Sequence, residues 1–241
     1  MFERIFSLHK KESFSDEFDF TINIKRTVRK TISLIIRDGE LIVRCSKFVS
    51  NRRIYSLIRE KEHWIKKNIL IQKEKKKISK EKYIDTKTYL FLGEEKKLKI
   101  IEGKDCSINL TKTEIIISGS NLSSVEIKFI LSKWYKKKAI KVLIERTKHF
   151  SKLMNLSYNE VIIKDYKSKW GLCFNLKKKI YLNWRLIMAP ISVLEYVIIH
   201  ELCHLRVPNH SKQFWEEVQK YRVGFKKDKM WLAKNGFLLF F

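Results

Sequence analysis

Glycine and proline are scarce, with 7 Gly and 2 Pro in 241 residues, which excludes a collagen-like repeat and Pro/Gly-rich disorder. The four cysteines, Cys45, Cys106, Cys173 and Cys203, stand far apart with no CxxC pair. Neither a zinc ribbon nor a disulfide framework is therefore indicated, and a reducing, cytoplasmic location is expected. No stretch approaches the ~18 to 20 uninterrupted apolar residues of a membrane span. The opening MFERIFSLHKKESFSDEF contains acidic residues and lacks the apolar core of a signal peptide. A soluble protein with no membrane partner is the expectation.

Acidic residues are also few, 26 against 52 basic, for a formal charge of +26. Of the 52, 40 are Lys and 12 are Arg. Two explanations compete. An AT-rich coding sequence yields Lys, Ile and Asn at the expense of Ala, Gly and Pro. A surface selected for polyanions would place Lys75 to Lys77, or Lys133 and Lys136 to Lys138, on phosphates, although Arg is the better bidentate phosphate ligand. The expected consequence is weak, nonspecific nucleic-acid binding through a Lys-rich surface. With 44% hydrophobic and 12% aromatic residues the chain can build a core, as one large or two small domains.

Around Asp38-Gly39, apolar and polar residues alternate from Phe20 to Cys45, the signature of a hairpin on a type I′ turn. Ser50 or Asn51 caps a helix with Ile54, Leu57, Ile58, Trp64, Ile65 and Ile69 at helical spacing; it ends in the charge run Lys73 to Lys82, the best linker candidate. Short strands at 89–92, 98–101, 107–110 and 114–117 predict a small antiparallel sheet. Ser123 with Glu126 forms a capping box before a helix to about Met154, with Val125, Phe129, Ile130, Leu143, Phe150 and Leu153 as a buried stripe. Strands at 161–165, 168–174 and 179–183 follow. Then come helices from Pro190 to Leu205, from a Ser211 cap, and from an Asp228 cap to Gly236. Segregated strands and helices define an α+β fold.

The chemistry lies in His200-Glu201-Leu202-Cys203-His204, an HExxH inside a helical segment. At ~100° per residue, positions i and i+4 share a face, so both imidazoles reach one zinc at ~2.0 to 2.1 Å. Glu201 is rotated off that face, toward the water rather than the metal, where a carboxylate acts as general base. A third protein ligand leaves one position open, as catalysis requires. His210, after the Leu-Arg-Val-Pro-Asn turn, is favoured for it, with Glu216 or Glu217 as alternatives in a two-His-one-Glu set. Cys173 and Cys203 read as buried inert thiols.

The stretch from Ser168 to Trp215 resembles the YgjP-like metallopeptidases, zincins related to the Wss-type and SprT-type proteases. The matches are Trp170, Gly171 and Cys173; Leu182 to Leu186; Val197 to Leu205; Asn209 to Ser211; and Phe214 with Trp215. FLGEE at 91–95 and the hairpin are similar to the family's N-terminal half. Lys169 stands where the family usually has Arg, and Leu172 where it has Ser. The resemblance implies zinc held by His200, His204 and His210, Glu201 as general base, and a protein or peptide substrate cut as by an endopeptidase. The expected organisation is an N-terminal antiparallel β-rich region with one helix over 1–121, then a zincin-like metallopeptidase domain with the HExxH helix and a small sheet over 122–241. A basic nucleic-acid-binding protein with a structural or inactive zinc site is the alternative; the intact Glu201 argues against it.

Overall fold

The computed structural model describes residues 18–241; the segment read as lacking a signal peptide lies, up to residue 17, outside the described residues. Among the described residues no helix is long and apolar enough to cross a membrane. The chain divides into two compact units, Met1–Ile78 and Ser79–Phe241.

In the first unit, β1 (Ile22–Arg26), β2 (Ser33–Arg37) and β3 (Glu40–Cys45) form a sheet in the order β1-β3-β2. β2 and β3 are the expected hairpin: φ is 53° at Asp38 and 82° at Gly39, both left-handed as a type I′ turn needs. β1 joins β3 in parallel. Two helices follow, α1 (Asn51–Glu60), capped by Ser50, and α2 (Glu62–Lys80), with a break at Lys61 where the periodicity predicts one continuous helix. Ile54, Ile58, Ile65 and Ile69 recur every four residues within each helix and seal Leu41, Val43 and Cys45 from water. The charge run stays α-helical to Lys80, then widens into a π-helical turn over Glu81–Asp85, and the division between units, after Ile78, falls inside the run.

The second unit opens with β4 (Thr88–Phe91), β5 (Glu94–Ile101), β6 (Ser107–Leu110) and β7 (Glu114–Ser118), ordered β4-β5-β7-β6. The sheet is mixed rather than wholly antiparallel, because β5 and β7 run parallel. Burial explains the order: Ile115 and Ile117 of β7 are fully buried and need an inner position, whereas β6 alternates exposed and half-buried residues and serves as an edge. Tyr89, Leu90, Ile115 and Ile117 share one core with Leu131, Tyr135 and Leu143, and the Tyr135 hydroxyl donates to the Leu90 carbonyl at 2.7 Å. The sheet thus packs with the helices that follow, and the compact units divide after Ile78 instead of after residue 121.

Helix α3 (Ser124–Leu153) carries the full capping box of Ser123 and Glu126. Its buried residues include Leu131, Trp134, Tyr135, Leu143 and Phe150. Val125 and Phe129 share the face of Leu143 by periodicity yet are 75% and 68% exposed, and Leu153, rotated off it, is 59% exposed. Helical period sets which face is apolar; whether an element covers it is tertiary. Strands β8 (Glu160–Lys164), β9 (Gly171–Phe174) and β10 (Lys179–Asn183) form a third sheet, with β10 central, parallel to β8 and antiparallel to β9. A 3-10 turn over Trp184–Met188 leads to α4 (Ile191–Cys203), then α5 (Lys212–Tyr221) and α6 (Phe225–Asn235). α6 starts at Phe225 after the left-handed Gly224 rather than at an Asp228 cap; Asp228, one turn in, is buried and accepts a 2.7 Å bond from Arg222 Nε. The class is α+β, as the sequence indicated.

Candidate metal centre

α4 is the central helix of the second unit. Val193, Leu194, Val197, Ile198, Ile199, Leu202 and Cys203 are buried, so apolar residues occupy almost its whole circumference and α3, α5, α6 and β9 pack around it. His200 and Glu201 lie in its last turns and His204 at its end, where the backbone N–H of His204 still donates to the His200 carbonyl. The chain then turns through Val207, Pro208 and Asn209. Asn209 Oδ1 accepts from the Ser211 N–H, and Ser211 Oγ accepts from the Phe214 N–H to start α5. This reversal carries His210 back over α4, with its Nε2 3.1 Å from His200 Nε2.

One ligand atom from each of His200, His204 and His210 lies within 4.8 Å of the others. Two facing imidazole nitrogens repel unless one is protonated or both address a cation. Their 3.1 Å separation approaches the ~3.3 Å edge of a tetrahedron with ~2.05 Å metal–nitrogen bonds. His204 Nδ1 lies 3.1 Å from the Val207 carbonyl, which holds the proton on that nitrogen and leaves Nε2 for a metal. Burial, with the neighbouring His204, His210 and Lys229, pushes the His200 imidazole down to about 3, so it stays in the neutral form a metal requires. Burial lowers His204 as well. The donor set fits a divalent cation of the zinc class. The other candidates sit elsewhere: Glu217 is bonded to Arg206, and the 64%-exposed Glu216 faces Lys212. Cys173 and Cys203, both raised to about 12 by burial, are free thiols outside the histidine cluster.

Glu201 is 5% exposed and lies against the backbone of β9. A Cβ on Gly171 would come within 2.4 Å of Glu201 Oε1, so only glycine admits the carboxylate here. Burial raises its pKa to about 8, while Lys169 and the Cys173 backbone N–H pull the other way. Lys169, the departure from the family's Arg, thus still supplies a positive charge to this carboxylate. The loop before Gly171 is held by Asn183, whose side-chain amide donates to the carbonyls of Tyr166 (2.8 Å) and Lys169 (3.0 Å) and whose N–H donates to the Trp170 carbonyl.

Sequence reasoning matched Gly171, Asn183, Phe214 and Trp215 to the family's blocks without giving them roles. The fully buried Phe214 ring is within 4.9 Å of all three imidazoles and stacks on His204 at 4.5 Å. Trp215 stacks on His210. The only signal for these positions was an aromatic pair opening α5 just after the third histidine. Beside the cluster lies a cleft of about 360 Å³, lined by Trp170, Gly171, Tyr196, Lys229 and Leu232 as well as His200 and Glu201. Trp170 is therefore a cleft wall as well as a packing residue against Phe240 and Gly236. A buried carboxylate lining one cleft together with His200 of a three-imidazole donor set forms an arrangement suited to metal-assisted hydrolysis.

No curated protein matches the chain significantly. Among solved structures it is similar to the metallopeptidase zymogen abylysin of Pyrococcus abyssi, at 23% identity and a TM-score of 0.36, over 39% of this chain and 94% of that one. The zymogen of Methanocaldococcus jannaschii jannalysin gives 22% identity and 0.34 over the same shares. The family model described as YgjP-like, metallopeptidase domain, matches residues 30–235. The chain belongs to the YgjP-like metallopeptidase family.

Proposed function

We propose that this metallopeptidase is a zinc-dependent endopeptidase in which His200, His204 and His210 hold the metal and Glu201 is the general base. The observation that carries the reading is the convergence of three imidazoles, one of which, His200, lines the same cleft as the buried Glu201 carboxylate. Zinc bound there supplies Lewis-acid polarisation of the scissile carbonyl and acidifies the attacking water. Glu201 takes the proton of that water and passes it to the leaving amine. Burial, opposed by Lys169 and the Cys173 N–H, leaves its carboxyl at about 8, and a divalent cation alongside would pull that value down toward the ionised form a base needs. Gly171 and the β9 backbone fix the carboxylate, and Phe214 and Trp215 fix the imidazoles.

A structural zinc site needs four protein ligands, and among the described residues the cluster offers three. Half of the Lys-rich cluster of α3 has partners within the fold, Lys136 pairing with Asp165 at 3.3 Å and Lys138 lying over Trp134, while Lys133 and Lys137 are exposed. Both observations favour the enzyme over the nucleic-acid reading. The test is metal content and casein hydrolysis of purified wild type and Glu201→Gln. The variant is expected to keep one zinc and its fold while turnover falls ~10² to 10⁴-fold. Unchanged turnover rejects Glu201 as base, and a wild type without zinc rejects the metal assignment.

A further inference from the structure

The first unit is electrically polarised along its strands. The carboxylates of its strands and their flanks, Asp19, Asp38 and Glu40, lie where β1 begins and the hairpin turns, while Glu60, Glu62 and Glu74 belong to the helices, at or beyond the C-terminal end of α1. At the opposite end, loop 27–32 leaves β1 and loop 46–50 leaves β3, and the chain has no carboxylate between residues 20 and 37 or between 41 and 59. Seven of the chain's 12 arginines fall between residues 26 and 59. Compositional drift yields lysine, so this concentration runs against it. Arg26, Arg29, Lys30, Arg44, Lys47 and Arg52 cluster at this end, and none is in an ion pair among the described residues. Arg52 even occupies the first turn of α1, which has no acidic residue to match the helix dipole.

Two apolar side chains project from the same end: Val28 is 99% and Phe48 97% exposed. Phe48 is held out on a braced loop. The Arg26 guanidinium donates to the Val49 carbonyl and to Asn51 Oδ1, both at 2.6 Å, and more weakly to the carbonyls of Ser46 and Lys47. Arg29 is tethered to Ser33 and Thr31. Between the loops is a pocket of about 420 Å³, with Thr27, Arg29, Lys30, Ser46 and Lys47 beneath the two tips.

We propose that this end of the first unit docks on an anionic lipid bilayer, with Val28 and Phe48 inserting at the acyl boundary and the surrounding cations meeting lipid phosphates. Charge complementarity names the sign of the partner, and the apolar tips name its kind. A nucleic-acid strand asks for cations in a stripe and for aromatic faces on which bases stack. Here the cations ring two tips, and Val28 has no such face. The docking is peripheral and needs no spanning segment; the expectation of no membrane partner rested on the lack of one.

The test is co-sedimentation of the full chain with vesicles of phosphatidylcholine containing about 30 mol% phosphatidylserine, against pure phosphatidylcholine, at about 0.15 M salt. Wild type is expected to bind the anionic vesicles preferentially. Val28→Ser/Phe48→Ser should weaken that binding by roughly tenfold or more, with an unchanged melting midpoint because both side chains are solvent-exposed already. Lys30→Glu/Lys47→Glu should remove the preference for anionic lipid. The proposal is overturned if wild type fails to bind anionic vesicles, or if the serine pair binds as wild type does. It is overturned equally if a single-stranded oligonucleotide binds more tightly than the vesicles and through Phe48.

Discussion

Gly171→Ala isolates the contact that positions the proposed base. Gly171 is not among the glycines at positive φ, so alanine fits its backbone and the perturbation is the methyl group alone. That Cβ would meet Glu201 Oε1, Cγ and Cδ at 2.4, 2.6 and 2.7 Å. Restoring van der Waals contact near ~3.5 Å requires the carboxyl end to retreat by about 1 Å. A solvent-exposed glutamate would swing aside at little cost, but Glu201 is 5% exposed and walled in by its own helix and β9. Overpacking of this kind costs about 1 to 3 kcal/mol. A misplacement of about 1 Å in a reacting group costs ~10² in rate. The expected outcome is kcat/KM on casein-derived peptides down by ~10² with zinc content unchanged, because the three atoms nearest a Cβ at 171 all belong to Glu201. Denaturant unfolding should show the modest stability loss. Wild-type activity in Gly171→Ala would refute the claim that the carboxylate must rest on β9, and loss of zinc would show that the glycine acts on the ligands instead.

Phe214→Ala should cost about 3 to 5 kcal/mol of stability through the cavity it leaves and lower zinc affinity ~10 to 100-fold, since the ring contacts all three imidazoles; chelator competition and melting curves measure both. Asn183→Ala should cost about 1 to 3 kcal/mol, because two part-buried hydrogen bonds from a fully buried side chain are lost, and should lower activity more than zinc binding, as read by parallel hydrolysis and metal assays. Burial raises the phenols of Tyr83, Tyr89 and Tyr135 above the ordinary value of 10.0. The fold thus favours their neutral form, and the sign follows: their contribution is complete below about pH 10 and declines as pH rises beyond it, so denaturant midpoints should hold from about pH 7 to 9 and fall above about 10.5.

The HExxH geometry was legible because it is local. A 3.6-residue period fixes the faces of His200, Glu201 and His204 before anything else packs, and the apolar run before them announced a buried helix. The Asp38-Gly39 turn and the Ser123–Glu126 box were legible for the same reason, each being satisfied by residues within a few positions. What the tertiary structure decided is everything that depends on distant partners. His210 was favoured over residues 216 and 217 as a third ligand on sequence alone, but it is the Val207–Asn209 reversal and the Ser211 cap that bring its side chain back to α4. Gly171 meets Glu201 across thirty positions of sequence, and β7 displaces β6 from the inside of its sheet because its isoleucines must be dry. Composition made the basic residues one number; only folding brought Arg26 and Arg29 to Lys47 and Phe48, because strand register, not sequence distance, brings two loops to one end of a sheet.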